Sequence, residues 1–207
     1  MFLSRIELDP RTARAPYQWH KALWELFPGR PDAGRDFLFR IETATPGRPA
    51  IVLLQSATAP QPAAERAGVL ATRAFEPAFT GGQMLRFRLL ANPVRTVRDA
   101  DGRLRAAREA AGQAIVKPCR VPLLKDEQQL AWLARKLAGA ADVLAATATP
   151  CEPLHFRKPG EPPGKLVPCL FDGVLRVADA ALLTTLLAAG IGPAKAFGCG
   201  LLSLARA

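Results

Sequence analysis

Phe37-Leu-Phe-Arg-Ile-Glu42, the turn Thr45-Pro46-Gly47 and Ile51-Val-Leu-Leu-Gln-Ser56 read together as two strands joined by a turn. Both runs are rich in branched and aromatic side chains, and the Pro-Gly pair between them stops any helix. Upstream, Tyr17 to Phe27 places Trp19, Leu23, Leu26 and Phe27 on one face at helical spacing, and it ends at Pro28-Gly29. Before it, Phe2 to Leu8 alternates apolar and polar side chains as a strand does. Downstream, a short helix is expected near Ala63 to Leu70, then a strand from Met84 to Ala91. The order β-α-β-β-α-β is that of a ferredoxin-like unit.

A second, noisier pass of the same order follows. Asp126 to Gly139 is the clearest helix, with Leu130, Leu133 and Leu137 inward and Arg135 and Lys136 outward. Val143 to Ala148 reads as a strand, and proline-rich Pro150 to Gly164 as a loop. Lys165 to Phe171 and Val174 to Val177 read as a strand pair around Asp172-Gly173. Asp179 caps a helix from Ala180 to Ala189, and Leu201 to Leu204 is a last strand. The expected architecture is α+β, with two tandem ferredoxin-like domains at residues 1–95 and 96–207. A single larger α+β domain is the alternative.

The 207 residues are 49% hydrophobic, enough for real cores. Lys and Arg number 28 against 18 Asp and Glu, a net charge of +10. That excess favours a polyanionic partner, nucleic acid or an acidic membrane surface. The most apolar stretch, Ala178 to Ile191, is too short and too interrupted to span a bilayer. The N-terminus reads as a strand where a signal peptide needs an apolar run, so a cytoplasmic protein is expected. Four cysteines lie far apart without a C-x-x-C pair, and His20 and His155 fall at no zinc-like spacing from them. Reduced thiols, no metal site and no cofactor are expected.

Basic residues cluster from Arg86 to Arg120. Among them Arg95, Arg98, Arg103, Arg105, Lys117 and Arg120 flank a hairpin tip expected at Asp101-Gly102. Such a run is either a solvated face or a row of phosphate contacts. The tail Gly190-Ile-Gly192-Pro-Ala-Lys195-Ala-Phe-Gly198-Cys-Gly200 raises a second question. It lacks the Gly-Lys-Ser/Thr ending of a Walker loop, and Lys195 stands where a dinucleotide fingerprint needs glycine. It is either a helix C-cap with a turn or a site whose amides hold a polyanion.

Tyr17, His20 and Trp24 share a helix face, with Lys21 beside it. A histidine and a phenol within reach of one phosphate can cut RNA without metal: one group takes the 2′-OH proton, the other protonates the leaving oxygen or steadies the phosphorane. An amphipathic helix with an incidental histidine is the plain alternative. His155 has no partner at helical spacing.

Several motifs in order resemble the CasE family, CRISPR-associated endoribonucleases of type I-E systems. They are Met1-Phe-Leu-Ser4, Tyr17-Gln-Trp-His20, Arg35-Asp-Phe-Leu-Phe39, Val52-Leu-Leu-Gln-Ser56, Arg88-Leu-Leu-Ala-Asn-Pro93, Cys119-Arg-Val-Pro-Leu123 and the glycine-rich tail. The resemblance implies a tandem ferredoxin-like protein that binds the stem-loop of a CRISPR repeat and cuts precursor RNA 3′ of the stem, without metal. The products are a 2′,3′-cyclic phosphate and a 5′-OH, and the protein stays on the guide RNA with the other Cascade subunits. It places the family's essential histidine on His20 and its tyrosine on Tyr17. The expected RNA contacts are Lys21, the basic residues named above, Lys165, Gly192, Lys195, Gly198 and Gly200. Asp101 to Val116 and Cys151 to Gly164 match the family loosely. A non-catalytic RNA-hairpin-binding subunit is the alternative, and a generic basic DNA-binding protein a third reading.

Overall fold

The computed structural model describes residues 1–13, 16–29, 34–97, 119–157 and 163–207. The expected hairpin tip at Asp101-Gly102 and the residues Arg98, Arg103, Arg105 and Lys117 lie outside them.

The first sheet holds β1 (Phe2–Leu8), β2 (Phe37–Thr43), β3 (Ala50–Ser56) and β4 (Ala67–Ala74) in the order β2-β3-β1-β4, all antiparallel. A short α1 (Pro10–Ala13) leads into α2 (Pro16–Trp24), which lies on one face of the sheet. Trp19, Ala22, Leu23, Leu26 and Phe27 are buried there against Ile6, Val52, Leu54 and Phe39. The backbone beyond Trp24 tightens into i to i+3 bonds as far as Phe27, which keeps Leu26 and Phe27 on the buried face.

The helix expected at Ala63 to Leu70 is extended chain that becomes β4. Its alanines carry helical propensity, but Gly68, Val69 and Thr72 suit a strand. Pairing with the free edge of β1 satisfies a whole row of backbone groups, which outweighs a propensity of tenths of a kcal/mol per residue.

The second sheet is β12 (Leu202–Arg206), β5 (Met84–Ala91), β11 (Cys169–Val177) and β8 (Ala141–Pro150) in that order. Taken in chain order, both sheets have the 4-1-3-2 arrangement of the ferredoxin-like unit. The strand Met84–Ala91, expected to finish the first half, opens the second: Leu85, Phe87 and Leu89 point into a core with Trp132, Leu133, Phe171, Leu183 and Leu187. The change of sheet therefore falls between Ala74 and Met84, not at residue 95. Two helices cover this core, α3 (Asp126–Leu137) and α4 (Ala180–Ala189). The Asp179 carboxylate accepts from the Leu182 amide at 2.9 Å and caps α4 as expected.

Asp172-Gly173 is not a turn. Cys169 to Val177 is one continuous strand, and a Cβ on Gly173 would meet the Ala145 carbonyl oxygen at 2.1 Å, so glycine serves close strand approach. Asp172 instead pairs with Arg88 of the neighbouring strand at 2.7 Å. Two ribbons are added: β6 (Val94–Val97) with β7 (Cys119–Pro122), and β9 (Leu154–Phe156) with β10 (Gly164–Leu166). The second lies partly within the stretch expected to be all loop.

Polar staples join the halves. Arg40, 6% exposed on β2, donates to Ser203 Oγ at 2.9 Å on β12 and pairs with Glu42 at 2.8 Å. Gln55 of β3 donates to the Leu187 carbonyl of α4 at 2.8 Å. Gly190 (φ 74°, ψ 157°) ends α4, and a Cβ there would lie 2.7 Å from both methyls of Leu38.

Candidate active site and nucleic-acid interface

The pair expected on α2 does come together. The Tyr17 and His20 rings lie edge to face, centroids 5.8 Å apart, and the Lys21 ammonium sits 4.8 Å above the Tyr17 ring. Trp24, expected on the same face, packs edge to face on Phe37 at 5.2 Å and belongs to the core.

His20 is half-buried, and its Nδ1 is buried with no hydrogen-bond partner among the described residues. Burial holds its pKa below the usual 6.5, and the charges of Arg35 and Lys21 push it the same way. The imidazole is therefore neutral at pH 7, ready to accept a proton.

Arg35 links this helix to a cleft. The helix packs against the short 3₁₀ turn Lys195–Phe197, and beside that turn a cavity of about 420 Å³ opens. Arg35, Arg120, Lys165 and Lys195 all line it, and no carboxylate does among the described residues. Four cations around one opening make a site for a polyanion. Burial and then the charge of Arg35 lower the Lys195 pKa, so Arg35 acts on both Lys195 and His20.

The basic residues expected from the sequence divide here. Lys165 stands on β10 opposite His155, and Arg120 stands on β7 opposite Thr96. Arg95 pairs with Val121, so it projects from the other face of that ribbon and does not line the cleft. Lys195 also donates to the Ala189 carbonyl at 2.6 Å, closing the C-terminal end of α4.

The glycine tail corrects the expectation of an amide cradle. The Gly198 and Gly200 amides donate inward, to the Lys195 carbonyl at 3.4 Å and the Leu90 carbonyl at 2.7 Å. Gly198 lies against the Phe39 ring, and Gly192 against Trp132. What the tail presents to the cleft is Pro193 to Phe197, and β12 follows it, not a helix.

Arg35 and Asn92 are the cleft residues that residue spacing did not single out. Both sit inside motifs quoted above, Arg35-Asp-Phe-Leu-Phe39 and Arg88-Leu-Leu-Ala-Asn-Pro93. That was the available signal. Burial pushes the Cys169 and Cys199 thiols up to about 12, so neither is a nucleophile. Among the described residues, no three His, Cys, Asp or Glu side chains gather as a metal site, and no helix is long and apolar enough to cross a membrane.

Residues 1–206 match the family described as CRISPR associated protein. The chain is 44% identical over 205 residues to the CRISPR system Cascade subunit CasE of Escherichia coli K12, covering 99% of each. The chain belongs to the CasE family. It is also 34% identical to the CRISPR-associated endoribonuclease Cse3 of Thermus thermophilus, covering 99% of this chain and 100% of that one. The crystal structure of Cas6e from Escherichia coli K-12 superposes with a TM-score of 0.84 at 40% identity, covering all of both chains. Thermus thermophilus Cse3 bound to an RNA representing a pre-cleavage complex superposes at 0.74, with 32% identity over 99% of this chain and 98% of that one. The likeness to the CasE relatives covers both ferredoxin-like halves of the chain.

Proposed function

We propose that this protein is a metal-independent endoribonuclease that cuts CRISPR precursor RNA 3′ of the repeat stem-loop and remains on the guide RNA as a subunit of Cascade in the cytoplasm. The observation that carries the reading is a neutral, half-buried His20 beside Tyr17, on a helix packed against the turn that lines a cationic cleft and under the charge of the cleft residue Arg35. The names of the relatives, a Cascade subunit and an endoribonuclease, support it, as does the RNA bound to the Thermus protein.

In this reading Arg35, Arg120, Lys165 and Lys195 hold the phosphates of the strand that leaves the stem. His20 takes the proton of the 2′-OH, which attacks the adjacent phosphorus. The P–O5′ bond breaks as Tyr17 gives a proton to the departing 5′-oxygen, leaving a 2′,3′-cyclic phosphate and a 5′-OH, and the proton taken up by His20 returns to Tyr17 through solvent. Tyr17 and Lys21 stabilise the charge that builds on the phosphorane and the departing oxygen. Arg95, which does not line the cleft, contacts the stem outside it. Gly192 shapes the loop that carries Lys195, and Gly198 and Gly200 act through that shape.

Incubating the pure protein with its repeat hairpin in EDTA tests the proposal. Cutting is expected, and it stops with a 2′-deoxy nucleotide just upstream of the scissile phosphate. His20→Ala is expected to lower the rate by about 10² to 10⁴ while changing hairpin affinity only a few-fold. Tight binding without cutting by the wild-type protein would instead make it a structural cap on the hairpin.

A further inference from the structure

Asn92 follows β5 and lines the cationic cleft, yet it is 5% exposed and its carboxamide Oδ1 has no hydrogen-bond partner among the described residues. A buried acceptor without a donor is costly, and a folded protein keeps few of them. Its surroundings sharpen the point. Arg35, Arg120, Lys165 and Lys195 bring only donors for a ligand, and a phosphodiester brings only acceptors. Phosphate oxygens can accept from these cations but give Asn92 Oδ1 no donor.

We infer that Asn92 Oδ1 accepts a hydrogen bond from a ribose 2′-hydroxyl of the strand held in the cleft, and so makes the cleft selective for RNA over DNA. This rests on the reading of the cleft as an RNA site. The 2′-hydroxyl is favoured over a base amino group by the company Asn92 keeps. Cations bind the backbone whatever the sequence, and the donor that accompanies every RNA phosphate is the neighbouring sugar hydroxyl. A DNA strand brings the same phosphates but leaves Oδ1 buried and unpaired.

The test is a binding scan in the His20→Ala background, so that affinity is read without cutting. Hairpin RNAs carry a single 2′-deoxy substitution at each nucleotide in turn on the 3′ side of the stem. With Asn92 intact, one position is expected to lose about tenfold in affinity. Asn92→Leu, similar in size but without an acceptor, binds the all-ribose hairpin about tenfold more weakly and no longer distinguishes that position. Asn92→Asp keeps an oxygen acceptor and still distinguishes it, although its charge weakens binding overall. Should Asn92→Leu fail to fold, Asn92→Ala, which also lacks the acceptor, decides: loss of the discrimination supports the inference, and discrimination kept at that position overturns it.

A flat scan with Asn92 intact, or identical scans for the parent and Asn92→Leu, overturns the inference. Coupling of Asn92 to inosine-for-guanosine replacement instead of a deoxy position also overturns it, in favour of a base contact. If the parent binds hairpin RNA no better than its DNA copy, the RNA-site reading itself fails. Tight, RNA-selective binding without coupling to Asn92 removes only the present inference.

Discussion

Replacing Arg35 with Ala perturbs two things at once, and the geometry gives each a direction. Arg35 is one of four cations lining the cleft. Each phosphate contact on a single strand contributes about 0.7 to the slope of log affinity against log salt, so the four together give roughly 3, and the variant drops by about 0.7. An exposed contact of this kind is worth about 1 kcal/mol, or about fivefold in affinity. The second effect reaches His20. Its pKa is held below 6.5 first by burial and then by Arg35 and Lys21, so removing Arg35 moves it upward. If neutral His20 is the base, activity falls as pH drops through that pKa. The inflection then lies at higher pH in Arg35→Ala than in the wild type, and the deficit of the variant grows between pH 7 and pH 5.5. Single-turnover cleavage of the hairpin at subsaturating protein, from pH 5 to 8, reports the free-protein value. An inflection that stays put, or moves to lower pH, refutes the argument. A variant that gains activity relative to wild type as pH falls shows that protonated His20 is the species needed.

Two further variants address the joint between the halves. Gly190→Ala places a Cβ 2.7 Å from both Leu38 methyls at a φ of 74°, and is expected to destabilise by about 3 kcal/mol in urea unfolding; a loss below about 1 kcal/mol would show that the joint adjusts. Arg40→Met removes the bond to Ser203 and strands Glu42, with about 2 kcal/mol expected. An unchanged unfolding midpoint in that variant would mean the halves are held by apolar packing and Gln55 alone.

Local features of the site were legible because their geometry repeats every few residues. Helical spacing put Tyr17 beside His20, and a polar side chain before an apolar run marked the Asp179 cap. The errors share a different cause. Ala63 to Leu70 looked helical until β1 offered an edge, and Asp172-Gly173 looked like a turn until β8 and Phe87 crowded that glycine. The alternation of Met84 to Ala91 marks a strand, but alternation says nothing about which sheet a strand joins. In Arg95 and Arg120 the charges were plain, yet the register of one ribbon sends them to opposite faces.

By itself the sequence determined the class of partner through its charge, the two-fold repeat of the ferredoxin-like order, and the Tyr17–His20 pair. Its ordered motifs also carried the family. Only the tertiary structure decided which cations face the same opening, and that Arg35, 15 residues beyond His20, acts on that histidine and on Lys195 together. It also turned the glycine tail from an amide cradle into a packing joint. The physical reason is range: propensity, capping and periodicity act within a turn or two of chain, whereas a cleft is made by elements far apart in sequence that bury apolar faces together and bring their charges along.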